Sequence, residues 1–126
     1  MPSFSAPLRD HLFCLYDLLD FESHTRHPGF ETFSRDVIEA VLEQANRFAS
    51  EVLYPLNMAA DAEGVRLENG AVTTPKGFKD AYRQLVEGGW PALTAAPQHG
   101  GQGMPHMVNI LFEEMINGAC LSFGLF

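Results

Sequence analysis

The sequence predicts an all-α fold, a bundle of about five helices with a possible small β-hairpin at residues 65–73. Apolar residues recur at helical spacing through most of the chain, and its 126 residues suffice for one domain with a single core. The pair Asn69-Gly70 lies between two short runs that suit β-strands, which is the usual signal of a two-residue hairpin turn. We therefore expect residues 1–126 to form a single helical domain.

The N-terminal part of the chain, residues 1–33, is predicted to form one helix followed by a flexible loop. Pro7 suits the first position of a helix, and the apolar residues after it are mostly three or four positions apart. This narrow stripe consists of Leu8, Leu12, Leu15, Tyr16 and Leu19. The helix should therefore pack on the outside of a larger core. From Phe21 to Phe33 no periodicity appears, which is typical of a loop.

The predicted loop contains three side chains that could bind a metal ion, Glu22, His24 and His27. Three such ligands in a flexible loop, without a fourth ligand or supporting hydrogen bonds, rarely hold zinc specifically. We therefore favour solvated loop residues and predict no metal site.

The clearest helical pattern follows Ser34, which suits an N-cap position, with Asp36 near the positive end of the helix dipole. Its apolar face consists of Val37, Ile38, Val41, Leu42, Ala45, Phe48, Ala49, Val52, Leu53 and Leu56. Pro55 lies inside this pattern and predicts a kink, because proline lacks an N–H and crowds the preceding turn. The helix should continue to about Ala60 and end before Gly64.

A hairpin and a third helix are expected next. Two strands this short are marginal alone, so they should lean on the helices. Thr74 is predicted to be the N-cap and Pro75 the first residue of the third helix, which Gly88 and Gly89 should end. The apolar face of this helix consists of Phe78, Ala81, Tyr82, Leu85 and Val86.

The segment from Gly88 to Pro105 contains no Asp, Glu, Lys or Arg, but five glycines and three prolines. Its single tryptophan, Trp90, needs a large area to bury and a partner for its N–H. A loop this apolar should form a packed corner that fixes the angle between the helices on either side.

Pro105 should open a fourth helix. Apolar residues on more than one of its faces predict burial on both sides: Val108, Leu111, Phe112 and Met115 on one face, and Ile110 and Ile116 on another. Gly118 and Ala119 allow a bend before a last apolar element.

The glycines of this corner could alternatively suggest a phosphate-binding loop. A P-loop needs Lys-Ser or Lys-Thr after the glycines, and a Rossmann fingerprint needs a third glycine where His106 stands. Neither motif is present, so we favour a close-packed corner.

The corner resembles that of the acyl-CoA dehydrogenases. The resemblance is carried by Gly89, Trp90, Pro97, Gly100, Gly101, Gly103 and Pro105, and it extends to Thr74–Phe78 and Glu51–Asn57. The opening residues, Met1 to Asp10, are similar to a subgroup that includes the 3-methylmercaptopropionyl-CoA dehydrogenases.

The resemblance implies a parent enzyme with a helical N-terminal domain, a central β-domain and a helical C-terminal domain. Such an enzyme is a flavoprotein of fatty acid metabolism that uses FAD to oxidise an acyl-CoA across Cα–Cβ and passes electrons to a transfer partner. Its catalytic glutamate belongs to the C-terminal domain, and its flavin is held mainly by the β-domain and a second subunit of the homo-oligomer. We therefore expect no catalytic or cofactor-binding residue in this chain, and no FAD bound by it alone.

The resemblance also implies that the N-terminal domain supplies a wall of the acyl pocket. The positions indicated are Met115, Ala119, Ser122, Phe123 and Phe126. Ordinary core packing is the alternative for all five. For Lys76, Lys79 and Arg83 we prefer a solvated helix face to docking of a CoA phosphate. Glu113 and Glu114 could act as a general base only in a dry pocket, and no second group accompanies them.

Composition excludes several classes of partner. A net charge of −8, with all eight basic residues at or before Arg83, disfavours nucleic acid and anionic membranes. Cys14 and Cys120 lie in apolar surroundings far apart in sequence, so we predict reduced core thiols and not a disulfide. Cys120 has no base nearby in sequence that could make it a nucleophile. With no leader-like or membrane-spanning segment, we expect a cytoplasmic chain.

The last six residues include four large apolar side chains, whereas natural termini are usually polar. The chain therefore looks cut, and the resemblance implies that it is a piece of a larger three-domain enzyme. Alone it would have to tuck its tail in, swap it with a neighbour or, as we expect, self-associate through exposed apolar surface. One alternative is a free-standing helical interaction domain that uses its acidic helix faces and apolar tail. Another is a small ligand-binding bundle, which would need a closed apolar cavity.

Overall fold

The computed structural model describes residues 3–31 and 33–125 and confirms an all-α architecture with one small sheet. The first half contains α1 (Leu8–Leu12) with a π turn (Phe13–Leu18), α2 (Phe21–His24), and a long rod of α3 (Arg35–Arg47), a second π turn (Phe48–Leu53) and α4 (Tyr54–Glu63). The second half contains β1 (Arg66–Glu68), β2 (Ala71–Thr73), α5 (Phe78–Glu87), two 3₁₀ turns (Trp90–Ala92 and Pro97–His99), α6 (His106–Ala119) and α7 (Leu121–Gly124).

The core lies where α6 packs against α3 and the second π turn. On its margins, α1 packs on α3, and α7 packs on α4. The largest side chains with almost no exposure are Phe21, Ile38, Leu42, Leu53, Leu93, Val108, Met115 and Cys120. Ile38 and Leu42 come from the apolar stripe of α3, and Val108 and Met115 come from that of α6.

The N-terminal segment is fastened to the core by polar and aromatic contacts. The Ala6 N–H donates to Oδ1 of Asn46 at 2.7 Å, which ties the segment to α3. His11 is buried, and its Nε2 lies 3.2 Å from Oε1 of Glu114 on α6. α1 therefore bridges two core helices, consistent with the outer position expected from its narrow stripe.

Residues 21–31 differ from the predicted loop, because a single helical turn, α2, begins there. Phe21 is almost fully buried, with its ring edge-to-face with Tyr16 at 6.0 Å and stacked on His24 at 5.7 Å. A single helical turn is too short to produce a periodic sequence pattern. The helix α2 therefore depends on the burial of Phe21 and could not be predicted from periodicity.

Tyr16 occupies an unusual environment beside α2. The Arg35 guanidinium lies 4.5 Å above the Tyr16 ring and is held by Oε1 of Glu39 at 2.7 Å. The Tyr16 hydroxyl is buried and finds no hydrogen-bond partner in the described part of the chain. Burial raises the pKa of Tyr16 above its usual value of 10.0, and the positive charge of Arg35 opposes that shift.

The long rod accommodates Pro55 through the π turn that ends at Leu53. In a regular α-helix the proline ring would crowd the carbonyl of Glu51, four residues earlier. Glu51 lies within the π turn, where the backbone is wider than in an α-helix. Ser34 occupies the predicted N-cap position in an extended conformation, but its side chain makes no capping hydrogen bond. The rod ends at Glu63, and Gly64 has the positive φ common after helices.

The hairpin forms as predicted, with Asn69 and Gly70 both in the left-handed region at φ values of 52° and 77°. The expectation that it leans on the helices is wrong, since every strand residue is exposed. The segment after the strands is tied back instead, because the Lys76 N–H donates to Oε2 of Glu63 at 2.9 Å.

The predicted start of α5 at Thr74 and Pro75 is also wrong. The helix begins at Phe78, because the chain turns at Gly77, whose φ is 94°. Tyr82 on the predicted apolar face is 56% exposed. Burial on both sides of α6 is likewise incorrect for Ile110, which is 58% exposed.

The corner between α5 and α6 is cross-linked by its own backbone. The N–H groups of Gln102, Gly103 and Met104 donate to the carbonyls of Ala92, Ala95 and Leu93 at 3.0, 2.9 and 2.8 Å. The two arms of the loop are thus paired almost like strands. Trp90 lies parallel to the ring of Phe112 at 4.4 Å, which joins the corner to α6.

Gly101 lies at the closest approach of the two arms. A Cβ atom at this position would collide with the backbone of Ala95, whereas open space surrounds the neighbouring Gly100. Gly100 instead has a left-handed φ of 81°. The two glycines are therefore required for different reasons, one for space and the other for conformation.

Gly101→Ala should destabilise the chain by about 3 kcal/mol, because the added methyl group overlaps backbone that cannot move away. Gly100→Ala is the matched control and should lose only about 1 kcal/mol, the usual cost of a left-handed alanine. Denaturant unfolding followed by circular dichroism measures both. Equal losses at the two positions would contradict the close packing of the corner.

Tyr16→Phe should raise the free energy of unfolding by about 1 kcal/mol at neutral pH, because it removes a buried hydroxyl without a partner. The raised pKa means that folded Tyr16 keeps its proton longer than unfolded Tyr16. Its contribution is therefore complete below about pH 10 and is lost as pH rises through the folded pKa, so the variant's advantage should grow above about pH 10.

Thermal melts from neutral to alkaline pH measure this difference. Tyr82→Phe is the control, and its removal of an exposed hydroxyl should leave stability unchanged. A destabilised Tyr16→Phe variant at neutral pH would show that the hydroxyl has a partner after all.

Candidate functional site

The candidate site is a cleft of about 390 Å³ between α5 and the C-terminal half of α6. α7 lies at one end of it. The apolar lining consists of Phe78, Tyr82, Leu85, Phe112, Ile116 and Phe123. The cleft is open to solvent along one side, and Tyr82 of its lining is 56% exposed.

Aromatic contacts hold the walls of the cleft in place. Phe123 meets Phe78 edge-to-face with ring centroids 5.5 Å apart, and this contact joins α7 to α5. Phe112 lines the cleft and is stacked on Trp90 of the corner. The position of α5 relative to α6 therefore depends on the corner at one end and on the Phe78–Phe123 pair at the other.

The polar groups at the rim are few. Lys79 lies near the N-terminus of α5, and its exposed ammonium makes no ion pair or hydrogen bond with other described residues. Glu113 on the opposite wall accepts a hydrogen bond from Nδ2 of Asn109 at 2.6 Å. Nδ2 of Asn117 donates to the backbone carbonyl of Glu113 at 2.8 Å. Neither the Lys79 ammonium nor the Glu113 carboxylate forms an ion pair with another described residue.

The four described residues predicted for the acyl pocket have different surroundings. Phe123 lines the cleft, whereas Met115 and Ala119 are buried in the core at 1% and 0% exposure. Ser122 is exposed on α7. Phe126 lies outside the described residues. Their role in a pocket remains a prediction.

The corner glycines leave no backbone cradle for a phosphate. The Gly101 and Gly103 N–H groups donate to the carbonyls of Ala96 and Ala95. Gly89, Gly100 and Gly103 adopt positive φ, which suits tight turning of the chain. These contacts favour the interpretation of the motif as a packed corner.

The candidate acidic groups are not arranged as a catalytic site. Glu113 and Glu114 are both exposed, and Glu114 is paired with His11. Across residues 3–31 and 33–125, no group of three or more His, Cys, Asp or Glu side chains could hold a metal ion. His24 and His27 lie near each other, with ring centroids 6.2 Å apart, but His24 mainly packs on Phe21.

The two cysteines have different environments, although both are free thiols. Cys120 is buried, and its Sγ lies 3.6 Å from Oγ of Ser122. Cys14 is exposed, so the prediction of a core thiol is wrong there. It lies in the first π turn, where its neighbour Leu15 takes the buried position.

The cleft was missed at the sequence level, although part of its lining was recognised. The helical pattern correctly assigned Phe78, Tyr82 and Leu85 to one face of α5. Periodicity does not show how far the facing helix stands from that face. The sequence does contain one signal, because Glu113 and Asn117 are polar positions on an otherwise apolar helix. They indicate that the side of α6 that faces α5 is not wholly buried.

Comparisons with known proteins agree with the architecture. A sequence model described as "Acyl-CoA dehydrogenase, N-terminal domain" matches residues 36–126. The helices and glycine-rich corner thus define a helical domain of the kind that begins these dehydrogenases. The chain belongs to the acyl-CoA dehydrogenase N-terminal domain family.

Relatives extend the similarity to the residues before this match. The chain is 38% identical to 3-methylmercaptopropionyl-CoA dehydrogenase of Ruegeria pomeroyi over 123 residues, which cover 98% of the chain and 21% of the relative. It is 28% identical to butyryl-CoA dehydrogenase of Syntrophomonas wolfei and 24% identical to the broad-specificity linear acyl-CoA dehydrogenase FadE5 of Mycobacterium tuberculosis. Each of these matches covers 94% of the chain and 20% of the relative. The chain therefore spans about a fifth of the length of these relatives.

The helices were compared with the length and hydropathy that a membrane span requires. None of those in the described ranges is both long and apolar enough to cross a bilayer.

Proposed function

We propose that residues 1–126 act as the N-terminal helical domain of an FAD-dependent acyl-CoA dehydrogenase, part of a larger three-domain enzyme. The observation that carries this proposal is the family match over residues 36–126. The parent enzyme would oxidise an acyl-CoA thioester between Cα and Cβ in fatty acid metabolism. Within it, this chain contributes packing surface and part of the acyl-pocket wall, and it has no activity alone.

The described residues do not fit a flavin. The glycine N–H groups of the corner already donate to carbonyls of the loop or of α5, so they cannot cradle a pyrophosphate. The cleft offers Lys79 as its single cation, and that side chain is exposed. FAD and the proton-abstracting carboxylate are therefore assigned to other parts of the parent, and no step of the reaction is assigned to this chain.

The proposed pocket wall lies at the junction of α6 and α7. The helical path breaks at Cys120, which has φ −155° and ψ 89°, and α7 starts in a new direction. Ser122 is exposed and Phe123 lines the cleft, so this end of the bundle presents surface that another domain could cover. Met115 and Ala119 would then support the wall from within, with Phe126 as a further candidate.

Exposed apolar side chains on α5, α6 and α7 support packing against other domains. The most prominent are Tyr82, Val86, Ile110, Leu121 and Leu125. When other domains do not cover this surface, we expect copies of the chain to self-associate through it. In the parent, subunits of a homo-oligomer and an electron-transfer partner complete the assembly. The free thiols support a cytoplasmic location.

A chimera tests this function directly. Residues 1–126 replace the aligned N-terminal residues of the Ruegeria pomeroyi relative, and the product is assayed for bound flavin and for oxidation of 3-methylmercaptopropionyl-CoA. We expect a yellow, active chimera. The isolated chain is the matched control and should take up no stoichiometric FAD, show no activity, and scatter light as a species larger than 13.9 kDa.

Two outcomes would overturn the proposal. A chimera that folds but binds no flavin would show that this chain cannot serve as the N-terminal domain. Stoichiometric flavin binding by an isolated monomer would mean that these helices form a complete site.

The pocket wall is tested by Ser122→Phe in the active chimera. If Ser122 faces the acyl group, the larger side chain should occupy part of the acyl pocket. KM for the acyl-CoA should then rise about tenfold. Ser5→Phe makes the same change at an exposed position outside α7 and should have little effect. A Ser122→Phe chimera with unchanged KM and kcat would remove Ser122 from the pocket.

A further inference from the structure

We infer that β1 pairs with β1 of a second copy of this chain, antiparallel and about a two-fold axis at Leu67, so that two hairpins form one four-stranded sheet. This interface is separate from the exposed apolar surface on α5, α6 and α7, and it does not depend on the proposed dehydrogenase role. It depends on the open edge of β1, on the order of the charges along that strand and on an exposed apolar face.

The hairpin has an edge that the described part of the chain leaves open. β1 pairs with β2 in a two-stranded sheet, and all six strand residues are exposed. A two-stranded hairpin is marginally stable by itself in water, and sheets of three or more strands are more stable. An unpaired strand edge also readily accepts another strand. Addition of strands at the edge of β1 would therefore stabilise the hairpin.

The register of the hairpin directs backbone groups of β1 to that edge. The two-residue turn at 69–70 is flanked by the pair Glu68–Ala71, which such turns close with hydrogen bonds. The next pair, Leu67–Val72, is therefore of the non-hydrogen-bonded kind. It follows that the Leu67 N–H and C=O point away from β2. Two copies of Leu67 that face each other can exchange both backbone hydrogen bonds.

The charges on β1 are complementary to those of a second β1. Arg66 and Glu68 are exposed on the same face of the strand, and neither forms an ion pair with another described residue. In an antiparallel pair centred on Leu67, Arg66 of each copy lies opposite Glu68 of the other. These are non-hydrogen-bonded positions, where side chains are closest and opposite charges stabilise the pair.

The same charges oppose other registers. Charged residues on a strand edge ordinarily prevent pairing, because like charges meet. A pair of β1 strands centred on Arg66 or on Glu68 would place two like charges opposite each other. Only the register centred on Leu67 places each charge opposite its counterion. A strand whose charges complement themselves under a two-fold axis suits a second copy of the same chain as its partner. β2, Ala71–Thr73, carries no charge that could specify a register.

The other face of the hairpin is apolar and exposed. Leu67 and Val72 are opposite each other on this face and are 71% and 65% exposed. Pairing of two β1 strands would bring the two Leu67 side chains together, with one Val72 on either side. Cross-strand apolar contacts of this kind stabilise a sheet, and a single hairpin offers only one of them.

Cysteine cross-linking of the 126-residue chain locates the interface. The Cys14→Ser background removes the exposed native thiol. Leu67→Cys then places two thiols opposite each other, with Cα atoms about 5.5 Å apart, which is within disulfide range. We expect a disulfide-linked dimer on non-reducing gels after mild oxidation. Val72→Cys is the matched control, because its two copies would lie three strand spacings apart, about 14 Å. It should cross-link about tenfold more slowly, since that distance is too long for a disulfide.

Exchange of the charges tests the register. In the Leu67→Cys chain, Arg66→Glu alone and Glu68→Arg alone each place like charges opposite one another, so each should slow cross-linking about tenfold. The double variant restores opposite charges and should cross-link at the original rate. A mixture of the two single variants should do the same by forming heterodimers. Lys76→Glu changes the net charge outside the strands and should have little effect.

Several results would overturn the inference. Equal cross-linking of Leu67→Cys and Val72→Cys would reflect random collision of exposed thiols. No dimer from Leu67→Cys would remove the pairing and leave the edge to a strand of another domain or protein. Opposite effects of Arg66→Glu and Glu68→Arg would show that net charge controls association. A double variant as slow as the single variants would eliminate the register. Circular dichroism should show that every variant retains the helical fold, because all of the changed positions are exposed.

Discussion

The backbone pairing within the corner is the constraint on which the rest of the structure depends. Met104 donates to the Leu93 carbonyl, and Gly101 has no side chain at the point where the two arms are closest. This pairing determines where α6 starts relative to the end of α5. The stack of Trp90 on Phe112 then joins the corner to the core face of α6. Both the packing of α6 on α3 and the width of the cleft follow from a loop that contains no charged residue.

The N-terminal segment is held in a different way. α3 and α6 meet through continuous apolar surfaces, whereas α1 is attached by a few directional contacts, including the Ala6–Asn46 hydrogen bond and the buried His11 beside Glu114. Such contacts have a small net effect on stability when made and a larger cost when broken. Nδ1 of His11 has no partner within the described residues. The segment precedes the family match at residues 36–126, yet it is built into the same core.

Local sequence was sufficient wherever local chemistry decides the structure. The Asn69-Gly70 turn and the ends marked by Gly64 and Gly88 agree with the predictions, and so does the stripe of α3 except at Val37, which is exposed. The exceptions have tertiary causes. α2 exists because Phe21 finds a buried site, and Thr74 does not cap α5 because the chain turns at Gly77 instead. The cleft could not be predicted, because helical periodicity identifies a face but does not give the distance to the facing helix.

The second π turn has a consequence for the geometry of the long rod. A π turn accommodates about one more residue than an α-turn, and each residue advances an α-helix by about 100°. The turn at Phe48–Leu53 therefore sets the rotational phase of α4 relative to α3. Loss of one residue there would restore regular winding and keep Ala60 facing the core, whereas regular winding of the full-length rod would rotate Ala60 away from the core by about 100°. The hairpin, attached just beyond Glu63, would swing around the bundle with it. In this rod, the length of the chain between two buried positions carries as much structural information as the identity of the residues.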